Sequence, residues 1–522
     1  MSGRKHLHIQ EKMVKYLQKN IQKLLLILLF ISLFIFYSRI VPIVPFDTDD
    51  WCYMGYYRLP IPIWGDWNPS RILPEVLMPY VSIFAARVIY PVTGDYFGSI
   101  TLIYAFVVAV FIAILCIQLY HLAESLGTSK TAAILLTVLW GLLHFALLAG
   151  NESGNTWLWG STSATNYFYY TIPALLNEAI IIYLIRKKGT ALSLPVKILL
   201  CILCYFGVFS NLFPAVVLPA YAGMEIFFSF GKWLVAPKDK KSSFLKLLRN
   251  EWLHLYICIL FLISAVFEMS GGRAEEFSGY KFKEVADSLQ LVFKNANKWS
   301  LVSLLILAAY SLINVFKKGN SKSVNRERIC TVVAYVGSFL IVLIFNILLC
   351  ARTWAWYIKR QDVLINIVFY ILLVLFSLAC WMFTTSSRKK LNYIVLIICI
   401  LLNVLVFGKY NRNFYQPTNT IGISPDICRQ IDEDILRQIT DEVSAKKNQM
   451  DLHVPQFTNA DNWPIATYAG GPYGRFSFTL WRHGIIKKSI NITVVPDQAK
   501  NAEYGVWCVN VMLTSNKCEL PQ

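Results

Sequence analysis

From Leu24 to Phe407 the chain repeats one pattern: a long apolar run, then a short polar stretch. A helix of roughly 18 or more apolar residues crosses a hydrocarbon core of about 30 Å. By that measure we read eleven spans, at 22–41, 97–120, 131–149, 167–185, 194–210, 213–235, 251–268, 300–316, 329–350, 362–383 and 391–408. The pair flanking Asn211 and Pro214 is the least regular, because one bent or re-entrant segment there would replace two spans and reverse everything after it. Between the first two spans, Pro69 to Tyr90 places Ile72, Val76, Leu77, Val81, Phe84, Ala85 and Val88 at helical spacing. That is the pattern of a helix lying in the membrane interface. After the last span, Ser424 to Lys446 reads as a helix. Strand-like segments follow at Arg475 to Trp481, Ser489 to Val495 and Val506 to Leu513, separated by Gly, Pro and Asn. The expected fold is therefore mainly α: a polytopic transmembrane helix bundle with interfacial helices and a small α+β C-terminal extracytoplasmic domain. Its parts are a basic cytoplasmic head (1–21), a transmembrane domain (22–408) that includes a first outer loop (42–96), and the C-terminal domain (409–522).

Composition agrees with lipid as the solvent. With 522 residues, 56% hydrophobic, 15% charged and a mean hydropathy of +0.49, the chain carries more apolar surface than a soluble fold of this length buries. The net charge of +18 raises the question of nucleic acid, but the basic residues sit in short clusters between apolar runs. Lys130, Arg186 to Lys188, Lys238 to Arg249, Lys317 to Arg328 and Arg388 to Lys390 fall on alternate loops, as they do when cytoplasmic loops collect Lys and Arg. They share a side with the basic head (Arg4, Lys5, Lys12, Lys15, Lys19, Lys23), which puts the N-terminus in the cytoplasm and, after an odd number of spans, the C-terminus outside. The first run is too long for a signal peptide and no small-residue cleavage pattern follows it, so it reads as a retained anchor. Of twelve cysteines, Cys508 and Cys518 lie close together in the polar C-terminal tail, where an oxidising compartment would let them close a short loop.

The sharpest polar feature is Asp47-Thr48-Asp49-Asp50-Trp51, a few residues beyond the first span. Three carboxylates this close to hydrocarbon raise one another's pKa and suit a base or a cation site; a solvated turn is the plain alternative. Aromatic side chains crowd the same side: Trp51, Trp157, Trp159, Tyr169, Tyr170, Trp354 and Trp356. They read either as an anchoring belt or as platforms on which sugar rings stack. Arg352, Lys359 and Arg360 break the charge rule by standing on the outer side, which points to an anionic partner such as a lipid phosphate. Glu178 and Glu225 fall inside spans, where a carboxylate is costly unless paired or facing a polar cavity. There is no phosphate-cradling Gly loop, no paired metal-binding cysteines and no HExxH, so ATP-driven transport and zinc proteolysis lack support.

A short head, one span, then Asp49-Asp50 followed by Trp51 and Tyr53 in a large outer loop resembles the GT-C class of membrane glycosyltransferases. Within it, size, span number and C-terminal outer domain are similar to the bacterial and phage serotype-converting O-antigen glucosyltransferases (Gtr proteins). The polar stretch Gly160-Ser161 to Asn166, running into Tyr170 to Pro173, also looks like that neighbourhood. The resemblance implies an enzyme of the bacterial inner membrane that moves one sugar, glucose, from an undecaprenyl-phosphate carrier to a lipopolysaccharide glycan such as O-antigen on the periplasmic face. It implies Asp49 as general base, with Asp50 and Asp47 orienting the acceptor or holding a divalent cation, the one cofactor these residues would take. It assigns the donor phosphate to Arg352, Lys359 and Arg360, with Arg58 and Arg71 in reserve. Two other classes stay open: a transporter or flippase of lipid-linked sugar, and an O-antigen polymerase or ligase.

Overall fold

The computed structural model describes residues 24–61, 68–149, 157–236, 243–270, 279–316, 322–410, 423–459, 461–471 and 474–506. The basic head, Trp64, Asp66 and Trp67 of the first loop, and the Cys508 and Cys518 pair lie outside the described residues, as does the last expected strand after Val506.

The chain is mainly helical. Among the described residues nine helices are long and apolar enough to cross a membrane. Eight coincide with expected spans: Tyr96–Ser125, Ala164–Arg186, Leu212–Val235, Trp252–Met269, Lys298–Val315, Val324–Arg352, Gln361–Thr385 and Lys389–Lys409. Three further expected spans appear as shorter apolar helices, Leu24–Ile40, Lys130–Ala146 and Leu194–Val208. The ninth long helix, Ile72–Thr93, is the segment expected in the interface. Its Tyr80, Phe84 and Val88 form an exposed apolar stripe at four-residue spacing, while Glu75, Met78 and Ser82 turn inward.

Ala164–Arg186 and Gln361–Thr385 are the most enclosed helices, whereas Trp252–Met269 buries little and shows Ile259, Leu262 and Val266 outward. Apolar faces on the periphery of a helical bundle are what lipid covers. Tyr96–Ser125 packs on Ile172–Arg186, and Lys298–Val315 packs on both Gln361–Thr385 and Lys389–Tyr410. At Asn211 the chain makes two separate helices. Asn177, fully buried on the neighbouring helix, donates its Nδ2 to the carbonyls of Gly207 (3.0 Å) and Pro214 (2.9 Å). The break thus leaves these freed backbone acceptors satisfied inside protein, as an apolar surrounding requires. Glu225 ion-pairs with Lys188 at 2.6 Å.

After the last membrane-length helix comes a small unit. The helix Pro425–Ser444 packs on the strand Gln449–Pro455, which pairs in parallel with Asn491–Asp497 in register Gln449↔Asn491. The segment Arg475–His483, expected as a strand, is a helix. Its buried residues Phe476, Thr479, Leu480 and His483 recur at three- and four-residue intervals, and that period outweighs its aromatic and β-branched content. The amphipathic helix Phe282–Asn295 packs against the turn Ala355–Lys359.

Candidate functional site

The acidic turn forms a two-turn helix, Thr48–Gly55, and the three carboxylates take three different jobs. Asp47 is the N-cap; its side chain accepts from the Asp50 backbone N–H at 2.8 Å, satisfying a donor the helix start leaves open. Asp50 turns into the bundle. It accepts from the N–H of Phe46 (2.9 Å), of Thr165 (2.6 Å) and of Ala164 (3.4 Å), pinning the 157–166 segment to the helix. Burial pushes the Asp50 carboxyl up to about 6 and raises Asp47 well above the ordinary carboxylate range, with the charges of Asp50 and Asp49 adding to the latter. Asp49 faces the other way. Its side chain is 46% exposed, and Oδ1 pairs with Arg475 Nη1 at 2.9 Å. The same guanidinium reaches the Thr48 carbonyl at 3.3 Å and lies over the Tyr468 ring.

The small C-terminal unit holds this helix in place. Thr48 donates its N–H and its hydroxyl to the Pro464 carbonyl (2.9 and 2.7 Å), and its Oγ1 accepts from the Ala466 N–H (2.8 Å). Trp51, fully buried, donates Nε1 to Asp432 at 2.9 Å and packs edge-on against Phe97 and Phe476. Thr479 donates to the Trp51 carbonyl at 2.5 Å, and His483 bridges Tyr96 and the Met54 carbonyl. Gly55 is where the two helices touch, since a Cβ there would stand 2.7 Å from Thr479 Cα.

One turn beyond Asp49, on its own face, Tyr53 begins a second cluster. Its ring lies 4.9 Å from that of Tyr169, whose hydroxyl donates to Glu75 at 3.1 Å. Glu75 also ion-pairs with Arg58. Arg71, with its backbone in the left-handed region, pairs with Glu268 at 3.0 Å and lies within electrostatic reach of Tyr169 and Tyr170. The Tyr170 ring stacks on Arg360 at 4.6 Å, and so does Tyr357. Arg360 forks onto Asp362 (2.9 and 2.6 Å), which also accepts from Ser161 at 2.9 Å.

Contacts through Tyr53 thus link Arg58, Arg71, Arg360, Tyr169 and Tyr170 into one cluster that begins one helical turn from Asp49, each guanidinium with a carboxylate partner. Lys359 is exposed on the neighbouring turn, Arg352 is half-buried at the end of its helix, and Trp354 and Trp356 stand exposed beside them. Trp157 and Trp159 are fully buried, packed on Phe36, Phe145 and His144, and present no face to a sugar; Trp51 is likewise a core residue. No group of three or more His, Cys, Asp or Glu among the described residues is placed to hold a metal ion. Asp47 Oδ1 and both Asp50 oxygens accept from backbone donors while Asp49 pairs with Arg475, so the turn does not fit the cation reading. Arg475, Asp362, Asp432 and His483 are site neighbours that sequence reasoning missed. Asp432 did carry a signal: it lies on the apolar face of its helix among Cys428, Ile431, Ile435 and Ile439.

No family model, characterised protein or solved structure matches the chain.

Proposed function

We propose that this chain is a membrane glycosyltransferase of GT-C type, moving one sugar from a polyprenyl-phosphate carrier to a glycan at the non-cytoplasmic surface. The observation that supports it best is the division of labour in the acidic turn. Two carboxylates are consumed in building the helix, and the third is presented, oriented by Arg475, next to an aromatic cluster lined with guanidinium groups. One solvent-facing base, held by a single arginine, is what a single displacement needs. Asp49 takes the proton of the acceptor hydroxyl, the acceptor oxygen attacks the anomeric carbon, and the bond from that carbon to the phosphate oxygen breaks. The configuration inverts, and the lipid phosphate leaves with the bonding electrons. Charge develops on that phosphate, and Arg360, Arg58 and Arg71 are the donors assigned to it, with Lys359 and Arg352 at its rim. On this reading the N-terminus is cytoplasmic and the Asp49 end of the bundle is periplasmic. A sugar already attached to a lipid phosphate needs no nucleotide-binding domain, and it is met at the bilayer surface.

The test is reconstitution in nanodiscs with undecaprenyl-phosphate glucose and an O-antigen acceptor. Labelled sugar on the glycan, absent with Asp49→Asn, supports the proposal. Movement of the lipid across sealed vesicles with no transfer would assign the chain to the flippase class instead.

A further inference from the structure

A cavity of about 300 Å³ opens on the other side of the acidic helix, between the start of Tyr96–Ser125 and the helix Pro425–Ser444. Pockets at the junction of two units, and of this size or more, are where small ligands usually bind. Tyr90, Asp95 and Tyr96 line one wall, and Arg429, Glu433 and Leu436 the other. Gly94, at φ 70, makes the left-handed turn that brings Tyr90 and Asp95 round to the same side. Across the cavity Arg429 reaches Asp95 Oδ2 at 2.7 Å; along its own helix it pairs with Glu433 Oε1 at 2.8 Å, while Asp95 Oδ1 caps the next helix through the Gly98 N–H at 2.8 Å. The floor is Phe97, whose ring lies 5.6 Å from Trp51. Trp51 and Asp49 are two positions apart, about 200° around the helix, so the cavity and the Asp49 cluster lie on opposite faces of one short element.

The lining selects a class of ligand. Two carboxylates and one guanidinium carry a net single negative charge, which disfavours phosphates and nucleotides. What remains is a set of ion-paired charged acceptors and donors next to a half-buried tyrosine ring. Carboxylate and guanidinium groups form charge-assisted hydrogen bonds with neighbouring hydroxyls, and a ring face covers the apolar side of a pyranose. A neutral sugar offers both features.

We propose that this cavity is a carbohydrate subsite that holds a sugar unit of the acceptor glycan away from the transfer centre. The proposal rests on reading the chain as acting on a glycan, but its test does not need transfer. Full-length protein in nanodiscs is probed by saturation-transfer NMR with maltotriose, cellotriose and globotriose, alongside methyl phosphate and pentalysine. We expect saturable binding of at least one trisaccharide, undisturbed by phosphate and unchanged in Asp49→Asn. It should weaken at least tenfold in Leu436→Trp, which fills the cavity without touching an ion pair, and in Tyr90→Ala, which removes the ring. Binding indifferent to both variants would overturn the subsite, as would binding of phosphate or pentalysine alone, or of none of the probes. Sugar binding at this cavity in a protein that transfers nothing would keep the subsite and reject the transferase. Transfer whose acceptor KM is unmoved by Leu436→Trp would do the reverse.

Discussion

Asp49 and Asp50 are neighbours in sequence with opposite expected responses to the same substitution. In Asp49→Asn the lost charge is half-exposed and paired with one arginine, itself partly exposed. A pair of that kind contributes at most about 1 kcal/mol, so the fold should hardly notice. The chemistry should notice: removing a general base costs about 10²- to 10⁴-fold in rate, equivalent to about 3–5 kcal/mol on the barrier. In Asp50→Asn the amide keeps one acceptor oxygen where the carboxylate served three backbone N–H groups, and it aims an NH₂ at the rest. Each buried donor left unpaired costs about 1–3 kcal/mol. Part of this is offset, because the exchange also removes a buried charge whose carboxyl is already pushed up to about 6. The assay is labelled-sugar transfer in nanodiscs, read beside thermal unfolding followed by tryptophan fluorescence. Asp49→Asn should be inactive at an unchanged midpoint, and Asp50→Asn should lose midpoint and activity together. Transfer above about a tenth of wild type in Asp49→Asn would remove it from the base role, since a base loss costs at least about a hundredfold.

Arg360→Gln should raise the donor KM at least severalfold while leaving acceptor KM in place; an unmoved donor KM would take Arg360 out of phosphate binding. Gly55→Ala should lower both stability and transfer although it touches no reacting group, because the new Cβ meets Thr479 backbone that cannot rotate away; wild-type behaviour in that variant would show that the two helices do not pack as described. His483 supplies a pH dependence. Burial pushes its imidazole down to about 4, and the neutral ring donates to Met54 and accepts from Tyr96. Its stabilising contribution is full above the unfolded value of about 6.5 and disappears as pH falls toward 4, at most about 3 kcal/mol. Asp50 works in the opposite sense, its buried charge costing stability as pH rises through about 6. The midpoint of His483→Gln should therefore fall less than that of wild type between pH 6.5 and 4.5, and parallel profiles would rule out His483 as the titrating group.

The membrane-length helices were legible because their signal is local: an apolar run of sufficient length means the same wherever it occurs. The break at Asn211 was legible for the same reason, though its stabiliser, Asn177, was not. What stayed hidden depends on contacts between distant segments. Trp157 and Trp159 read as surface platforms from their loop position, yet that loop folds back into the bundle and encloses them. Arg58, Arg71 and Arg360 were identified as cations, but their carboxylate partners Glu75, Glu268 and Asp362 include one almost 200 residues away. In the helix Arg475–His483 the spacing of the buried positions, which outweighs the aromatic and β-branched content, is defined only once the packing partners are in place.

The choice among three adjacent carboxylates follows from helix geometry once the partners are known. Thr48, Trp51 and Gly55 recur at three- and four-residue intervals, and all three face the C-terminal unit. Asp50 faces the 157–166 segment, and Asp47 closes the helix start. A helix this short has about two turns and three usable sides. With two sides packed and the end capped, the remaining side carries Asp49 and, one turn on, Tyr53. Asp49 is thus the carboxylate of the three that packing leaves for the base role proposed above. It also follows that the C-terminal unit, through its contacts with Thr48 and Trp51 and through Arg475, sets the orientation of a residue far earlier in the chain, the contacts spanning 381 to 426 positions. An isolated helix of eight residues is unstable in water. The Asp49 side chain therefore has a defined direction only while that unit is docked, and if Asp49 is the base proposed above, the interface between them determines transfer as much as the carboxylate itself.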